Sequence, residues 1–267
     1  MNPLALVTGA SSGIGSVFAG RLAAAGYDLV LVARRAERLH ELARKIEKAH
    51  GVTVENLAAD LTEDRGMQAV EDRIARADNL QLLVNNAGFG AAGRFFEIGV
   101  ELQDRMHRLH ILATLRLTHA ALRGMVARGQ GGVINVSSVA AFWQSPGSTS
   151  YCSTKAWINT FTEGLYLELK SRGSPVKVQA LCPGFTLSEF HDAMGFDRKR
   201  VQESWWMSAE EVVDASIRGL ARGDLIVVPG WRYRLIVWSQ RVLPRFLRHA
   251  AVLRYARSMG RESPPQT

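Results

Sequence analysis

Cysteine is scarce: the 267 residues contain two, Cys152 and Cys182, and neither their number nor their spacing makes a disulfide framework or a paired metal site. No stretch of 18 apolar residues occurs, and the opening "MNPLALVTGA" lacks a basic region followed by an apolar core and a cleavage site. A membrane-spanning helix and a secretory leader are not expected; a reducing, cytoplasmic setting is. Linkers rich in proline or serine, low-complexity tracts and internal repeats are absent before the final "RESPPQT", so one core is expected, and 47% hydrophobic content is enough to fill it. Acids are missing from one place in particular. From Arg218 onward there are ten Arg and no Lys against only Asp224 and Glu262, so this segment carries the whole net charge of +8 and the remainder is balanced.

What is present is an alternation. Short apolar runs at 4–8, 28–33, 52–58, 80–85, 132–137, 176–182 and 225–228 are separated by stretches of helical period such as "RRAERLHELARKIEKAH". Near-continuous apolar strands between helices are the pattern of a parallel sheet buried on both faces. The expected fold is an α/β doubly wound parallel β-sheet in three αβα layers, in which ligands bind beyond the carboxyl ends of the strands. Residues 1–230 should form a single domain, followed by a basic amphipathic extension over 231–267.

The first run leads into "TGASSGIG" and then a helix. Gly9, Gly13 and Gly15 permit a tight turn and close approach of a phosphate, while Ser11, Ser12 and the first helical amides around Ile14 offer donors at a positive helix end. This makes the domain Rossmann-type. Where an acid for a ribose 2′-hydroxyl is usual, the chain has Arg34 and Arg35. Two arginines opening a helix are electrostatically misplaced unless they face an anion, which favours NADP(H) over NAD(H) through the 2′-phosphate. Asp60, with Leu61 beside it, closes the third run and could accept from the adenine amine.

In "TSYCSTKAWINTF", Tyr151 and Lys155 are spaced i and i+4, one turn apart on one helix face. "TGASSGIG", "NNAG" (85–88), "NVSS" (135–138), "YCSTK" (151–155) and "PGF" (183–185) occur in that order at strand ends or helix starts. Together they resemble the short-chain dehydrogenase/reductase family over about residues 4–228. The resemblance implies hydride transfer between a nicotinamide cofactor and a carbonyl or alcohol, with Tyr151 as general acid or base, Lys155 as its activator and Ser138 holding the substrate oxygen. A free phenol ionises near 10, and an adjacent ammonium favours phenolate. The resemblance also places Asn86, Ala87, Gly88, Pro183, Gly184, Thr186 and Ser188 against the cofactor, assigns Asn85 to tying strands together, requires no metal and implies a homodimer or homotetramer.

One departure concerns the helix "RMHRLHILATLRLTHA", where the family usually has an asparagine. His110, or His107 in a shifted register, stands there; it would either relay a proton, adding a pH dependence, or fill space. The region 186–207 should be a lid, and Phe190, Met194, Phe196, Trp205, Trp206 and Met207 suit either a lipophilic substrate or packing of the lid on the body. The tail mixes arginines with Trp, Leu, Ile and Phe, which fits peripheral membrane contact or a subunit interface, with nucleic acid disfavoured. A cofactor sensor without turnover and an epimerase or dehydratase with a related Tyr/Lys pair are the competing classes; retention of Ser138, Tyr151 and Lys155 speaks against the first, and the short stretch after Gly184 against the second.

Overall fold

A computed structural model describes residues 2–190 and 197–258. Seven parallel strands, β1 (Leu4–Thr8), β2 (Asp28–Ala33), β3 (Val54–Ala58), β4 (Leu80–Asn85), β5 (Gly132–Val136), β6 (Lys177–Leu181) and β7 (Ile226–Val227), pair in the order β3-β2-β1-β4-β5-β6-β7. Each lies within one of the seven apolar runs. Strands β1 and β5 are buried throughout because both faces are covered, whereas edge strand β3 (VENLA) has no buried residue.

The helices are α1 (Gly13–Ala24), α2 (Ala36–His50), α3 (Asp64–Ala75), α4 (Val100–His107), α5 (Thr114–Arg128), α6 (Thr149–Ser171), α7 (Ala209–Arg222), α8 (Trp231–Val242) and α9 (Arg245–Ser258). Helix α2 buries Leu39, Ala43 and Ile46, at a spacing of i, i+4 and i+7, and stops at Gly51, whose φ of 68° a side chain would resist. Helix α7 starts with a capping box in which Ser208 and Glu211 bond each other's backbone amides.

Two cores result. On one face Phe18, Leu22, Leu39, Val212 and Val213 pack α1, α2 and α7 onto the sheet; on the other, Met67, Val70, Leu117, Met125 and Leu169 pack α3, α5 and α6. Strand order reverses between β1 and β4, so the crevice opens beyond Thr8 and Asn85.

Candidate active site

At that reversal lies a cavity of about 1250 Å³, ample for a dinucleotide together with a small substrate. Its floor is the glycine turn. A Cβ on Gly9 would sit 2.8 Å from Asn86 Nδ2, and one on Gly15 would sit 2.3 Å from the Gly9 carbonyl oxygen, so neither position admits a side chain. Thr8 Oγ1 accepts from the amides of Asn86 and Ala87 at 3.0 Å, and Asn86 Nδ2 donates to the carbonyls of Thr8 and Gly9. The Asn86 side chain thus holds the turn, leaving its backbone and those of Ala87 and Gly88 to line the cavity. Asn85 donates to Asn135 Oδ1 and Thr118 Oγ1, both at 2.9 Å, which ties β4 to β5 and α5.

At the adenine end, Arg35 donates to Ser11 and Ser12 at 3.0 Å and pairs with Glu189, which also accepts from Arg38 at 2.6 Å. The two arginines hold the Glu189 carboxyl below the usual carboxylate range. Arg34 is 4.0 Å from Asp60. Burial would raise the Asp60 carboxyl, but hydrogen bonds from the Thr62 amide and hydroxyl, with Arg34 nearby, bring it below its ordinary value. Ser11, Ser12, Ile14, Arg34, Arg35, Asp60 and Leu61 all line the cavity. Three features of this floor fit the phosphates of a dinucleotide: a turn without room for a Cβ, a helix start without acids in its first turn, and a guanidinium bridging two serines.

At the other end, α6 brings Tyr151 and Lys155 to the wall and β5 brings Ser138, which caps a 3-10 turn by accepting from the Ala140 amide at 3.1 Å. Lys155 Nζ donates to the Val136 carbonyl at 2.8 Å and stands 5.7 Å from the centre of the Tyr151 ring. Burial pushes the Tyr151 phenol up to about 12, against a hydrogen bond with Ser138 that pulls it down. Burial likewise brings the Lys155 ammonium down to about 8. Desolvation outweighs the Ser138 hydrogen bond, which favours the neutral phenol, and the lowering by Lys155 expected from the sequence does not figure among the influences on Tyr151.

His110 is buried in a π-helical segment, Arg108–Ala113, between α4 and α5. Its Nε2 faces the Phe89 amide at 3.2 Å and must accept, so Nδ1 carries the proton and donates to Thr154 Oγ1 at 2.9 Å; Thr154 in turn donates to the Tyr151 carbonyl. Burial first, then Lys155, takes the imidazole well below its ordinary value of 6.5. The ring is neutral and committed at both nitrogens. His107 bonds the Gln103 carbonyl instead, and neither histidine lines the cavity; His110 stands behind its wall.

The region 186–207 divides. Phe190, whose ring is 5.8 Å from that of Tyr151, and Trp205 line the cavity, together with Thr186 and Ser188. Trp206 packs at a tilt against Phe185, with ring centres 5.3 Å apart, and Met207 packs on the sheet core, serving attachment. Met194 and Phe196 lie outside the described residues. Two contributors were not foreseen from the sequence. Glu189 gives no local signal of its ion pairs. Tyr233 in α8 accepts from the Phe185 amide at 2.9 Å and donates to the Trp205 carbonyl at 2.6 Å, and a Cβ on Gly184 would lie 2.1 Å from its ring. Pro183 and Gly184 are thereby clamped at the cavity edge by the extension. Neither cysteine is in a disulfide and both are buried, and no cluster of metal-binding side chains occurs among the described residues.

The family model described as short chain dehydrogenase matches residues 3–198. Sulfoacetaldehyde reductase 2 of Chromohalobacter salexigens is 36% identical over 194 residues, covering 71% of this chain and 75% of that one. Among solved structures, a short-chain dehydrogenase from Sphingobium yanoikuyae in complex with NADPH is 34% identical, with a TM-score of 0.80 over 99% of this chain and 98% of that one. A bulky-bulky ketone specific alcohol dehydrogenase from Comamonas testosteroni is 31% identical, with a TM-score of 0.77 over 99% and 96% of the two chains.

Proposed function

The chain belongs to the short-chain dehydrogenase family of oxidoreductases, and on that premise we propose that it reduces a bulky lipophilic carbonyl compound, or oxidises the matching alcohol, with NADP(H). The observation that carries the reading is the convergence of Ser138, Tyr151 and Lys155 on one wall of a cavity whose floor is the glycine turn. When bound, NADP(H) supplies the hydride and, in its oxidised form, a positive ring. Ser138 would hold the substrate oxygen by a hydrogen bond, and Tyr151 would give it a proton in reduction and take one in oxidation. A phenol kept neutral near pH 7 is ready to act as the acid. Lys155 would hold the ribose hydroxyls and favour phenolate in the oxidative direction. His110 would be a positioning residue, fixing the Tyr151 backbone through Thr154 rather than moving protons.

NADP(H) is preferred because Arg35 and Arg38 already gather a carboxylate, Glu189, beside Ser11 and Ser12; a 2′-phosphate would compete for the same donors, whereas a 2′-hydroxyl would leave the ion pairs intact. A lipophilic substrate is preferred because the far end is walled by Phe89, Trp143, Phe185, Phe190, Trp205 and Ile236. Among the similar structures, the NADPH complex supports the first choice and the bulky-ketone enzyme the second, while another, from Burkholderia phymatum, is a complex with NAD. A homodimer or homotetramer would cover the exposed Leu115 and Leu167, and a cytoplasmic setting suits two reduced thiols.

The test is oxidation of NADPH and NADH by the purified protein against bulky ketones and small aldehydes, with Tyr151→Phe in parallel. Turnover of bulky ketones that prefers NADPH and vanishes in the variant is expected. Tight NADPH binding without turnover of any carbonyl, or turnover indifferent to Tyr151, would overturn the reading.

A further inference from the structure

Helix α8 has two faces of opposite use. Tyr233, Ile236, Val237 and Gln240 point inward: Tyr233 and Val237 are buried against Val139, Phe142 and Trp205, and Tyr233, Ile236 and Gln240 line the cavity. On the opposite side Trp231, Leu235, Trp238 and Val242, at i, i+4, i+7 and i+11, are 61%, 55%, 62% and 56% exposed. Past Pro244, in α9, Phe246 and Leu253, seven residues apart, are also exposed, while Ala251 and Val252 reach the cavity. Arginines flank this ridge: Arg234, Arg245 and Arg254 are exposed, and Arg232 stacks on Trp231 and Trp205. No acid occurs between Asp224 and Glu262.

Scattered exposed apolar side chains are ordinary, but four on one face of a helix, two of them tryptophans, are not. Paired tryptophans on an apolar ridge with arginines beside it suit the boundary between lipid headgroups and acyl chains. A second copy of the chain is the poorer occupant. Two-fold docking would set this face against itself, bringing arginine against arginine with no acid of the segment to pair with them. We propose that α8 and α9 dock the protein on an anionic lipid surface, through the Trp231–Leu235–Trp238–Val242 ridge and its flanking arginines. Since the same helices wall the cavity, a carbonyl substrate dissolved in the lipid would meet the enzyme at the docked face; that extension rests on the lipophilic-substrate reading, whereas docking itself does not.

The experiment is co-sedimentation of the full-length protein with vesicles of phosphatidylcholine and phosphatidylglycerol, and with phosphatidylcholine alone, with no substrate present. Salt-sensitive binding to the anionic vesicles is expected. It should fall at least about tenfold in Trp231→Ser/Trp238→Ser, which removes two buried aromatics from the contact, and about fivefold per charge in Arg234→Gln/Arg245→Gln. NADPH binding serves as the check that both variants remain folded. Absence of binding to either vesicle overturns the proposal, as does binding that neither variant weakens. A dimer that the tryptophan variant converts to monomers, without vesicle binding by the parent protein, overturns it in favour of a second copy. Because the readout is vesicle binding, failure of the ketone assay leaves this result standing, and the reverse also holds.

Discussion

The sheet's carboxyl edge and the C-terminal helices serve one cavity by different means. The first is assembled from backbone and short side chains that have nowhere else to go: Gly9 and Gly15 exclude a Cβ, Thr8 gathers two amides, and Lys155 is fixed on the Val136 carbonyl. The second is held by a few side chains, above all Tyr233 and Val237, and leaves its other face exposed. Substitutions at the edge should therefore strike chemistry, and substitutions in the helices should strike stability and substrate affinity.

The largest effect is expected from Tyr151→Phe, about 10²- to 10⁴-fold in kcat with NADPH binding retained, read by steady-state kinetics and cofactor titration. Next is the pH response of Lys155. Its folded value of about 8 lies below its ordinary 10.5, so the unfolded chain binds the extra proton between those limits. The burial penalty is full below about 8 and is relieved as pH rises from 8 toward 10.5. Stability should climb over that window, and Lys155→Met should flatten the rise by up to about 3 kcal/mol in chemical denaturation at a series of pH values. Gly184→Ala tests the seam between the two regions. Its Cβ would overlap the Tyr233 ring, lowering stability by about 1–3 kcal/mol and raising KM for a bulky ketone. Tyr233→Phe leaves the Phe185 amide without its acceptor, at about 1–3 kcal/mol by thermal unfolding, with kcat little changed. The smallest effect is expected from His110→Asn: since burial keeps the imidazole neutral, the pH profile of kcat between the imidazole's ordinary 6.5 and the Lys155 value of about 8 should not change shape. A shifted limb there would restore the proton relay.

The edge was legible in the sequence because its signals are local. Each strand lies within a single apolar run, the glycines and the arginine pair follow directly on the strand ends that use them, and the Tyr/Lys pair is a single helical turn. The arrangement around His110 was less so. Its place in the helix was readable, but its partners Phe89 and Thr154 come from two other elements, and the π-helical segment has no composition of its own. Tyr233 reaches Phe185 across 48 positions, and Glu189 reaches Arg35 across 154. Such contacts depend on where packing leaves the lid and extension, which no periodicity encodes. The lid aromatics show the same limit: Trp205 and Trp206 are adjacent, yet one faces the cavity and the other anchors the loop.

The two cysteines have a practical consequence. Cys152 is 1% exposed and Cys182 is not exposed at all, with burial pushing the Cys182 thiol up to about 12; thiolate is the species that alkylating dyes attack. A cysteine engineered on the outer ridge of α8 or on the exposed side of α6 would then react with a maleimide fluorophore well ahead of either native thiol in the folded protein. The native thiols could stay in place as silent spectators while distance and polarity are read from the dye.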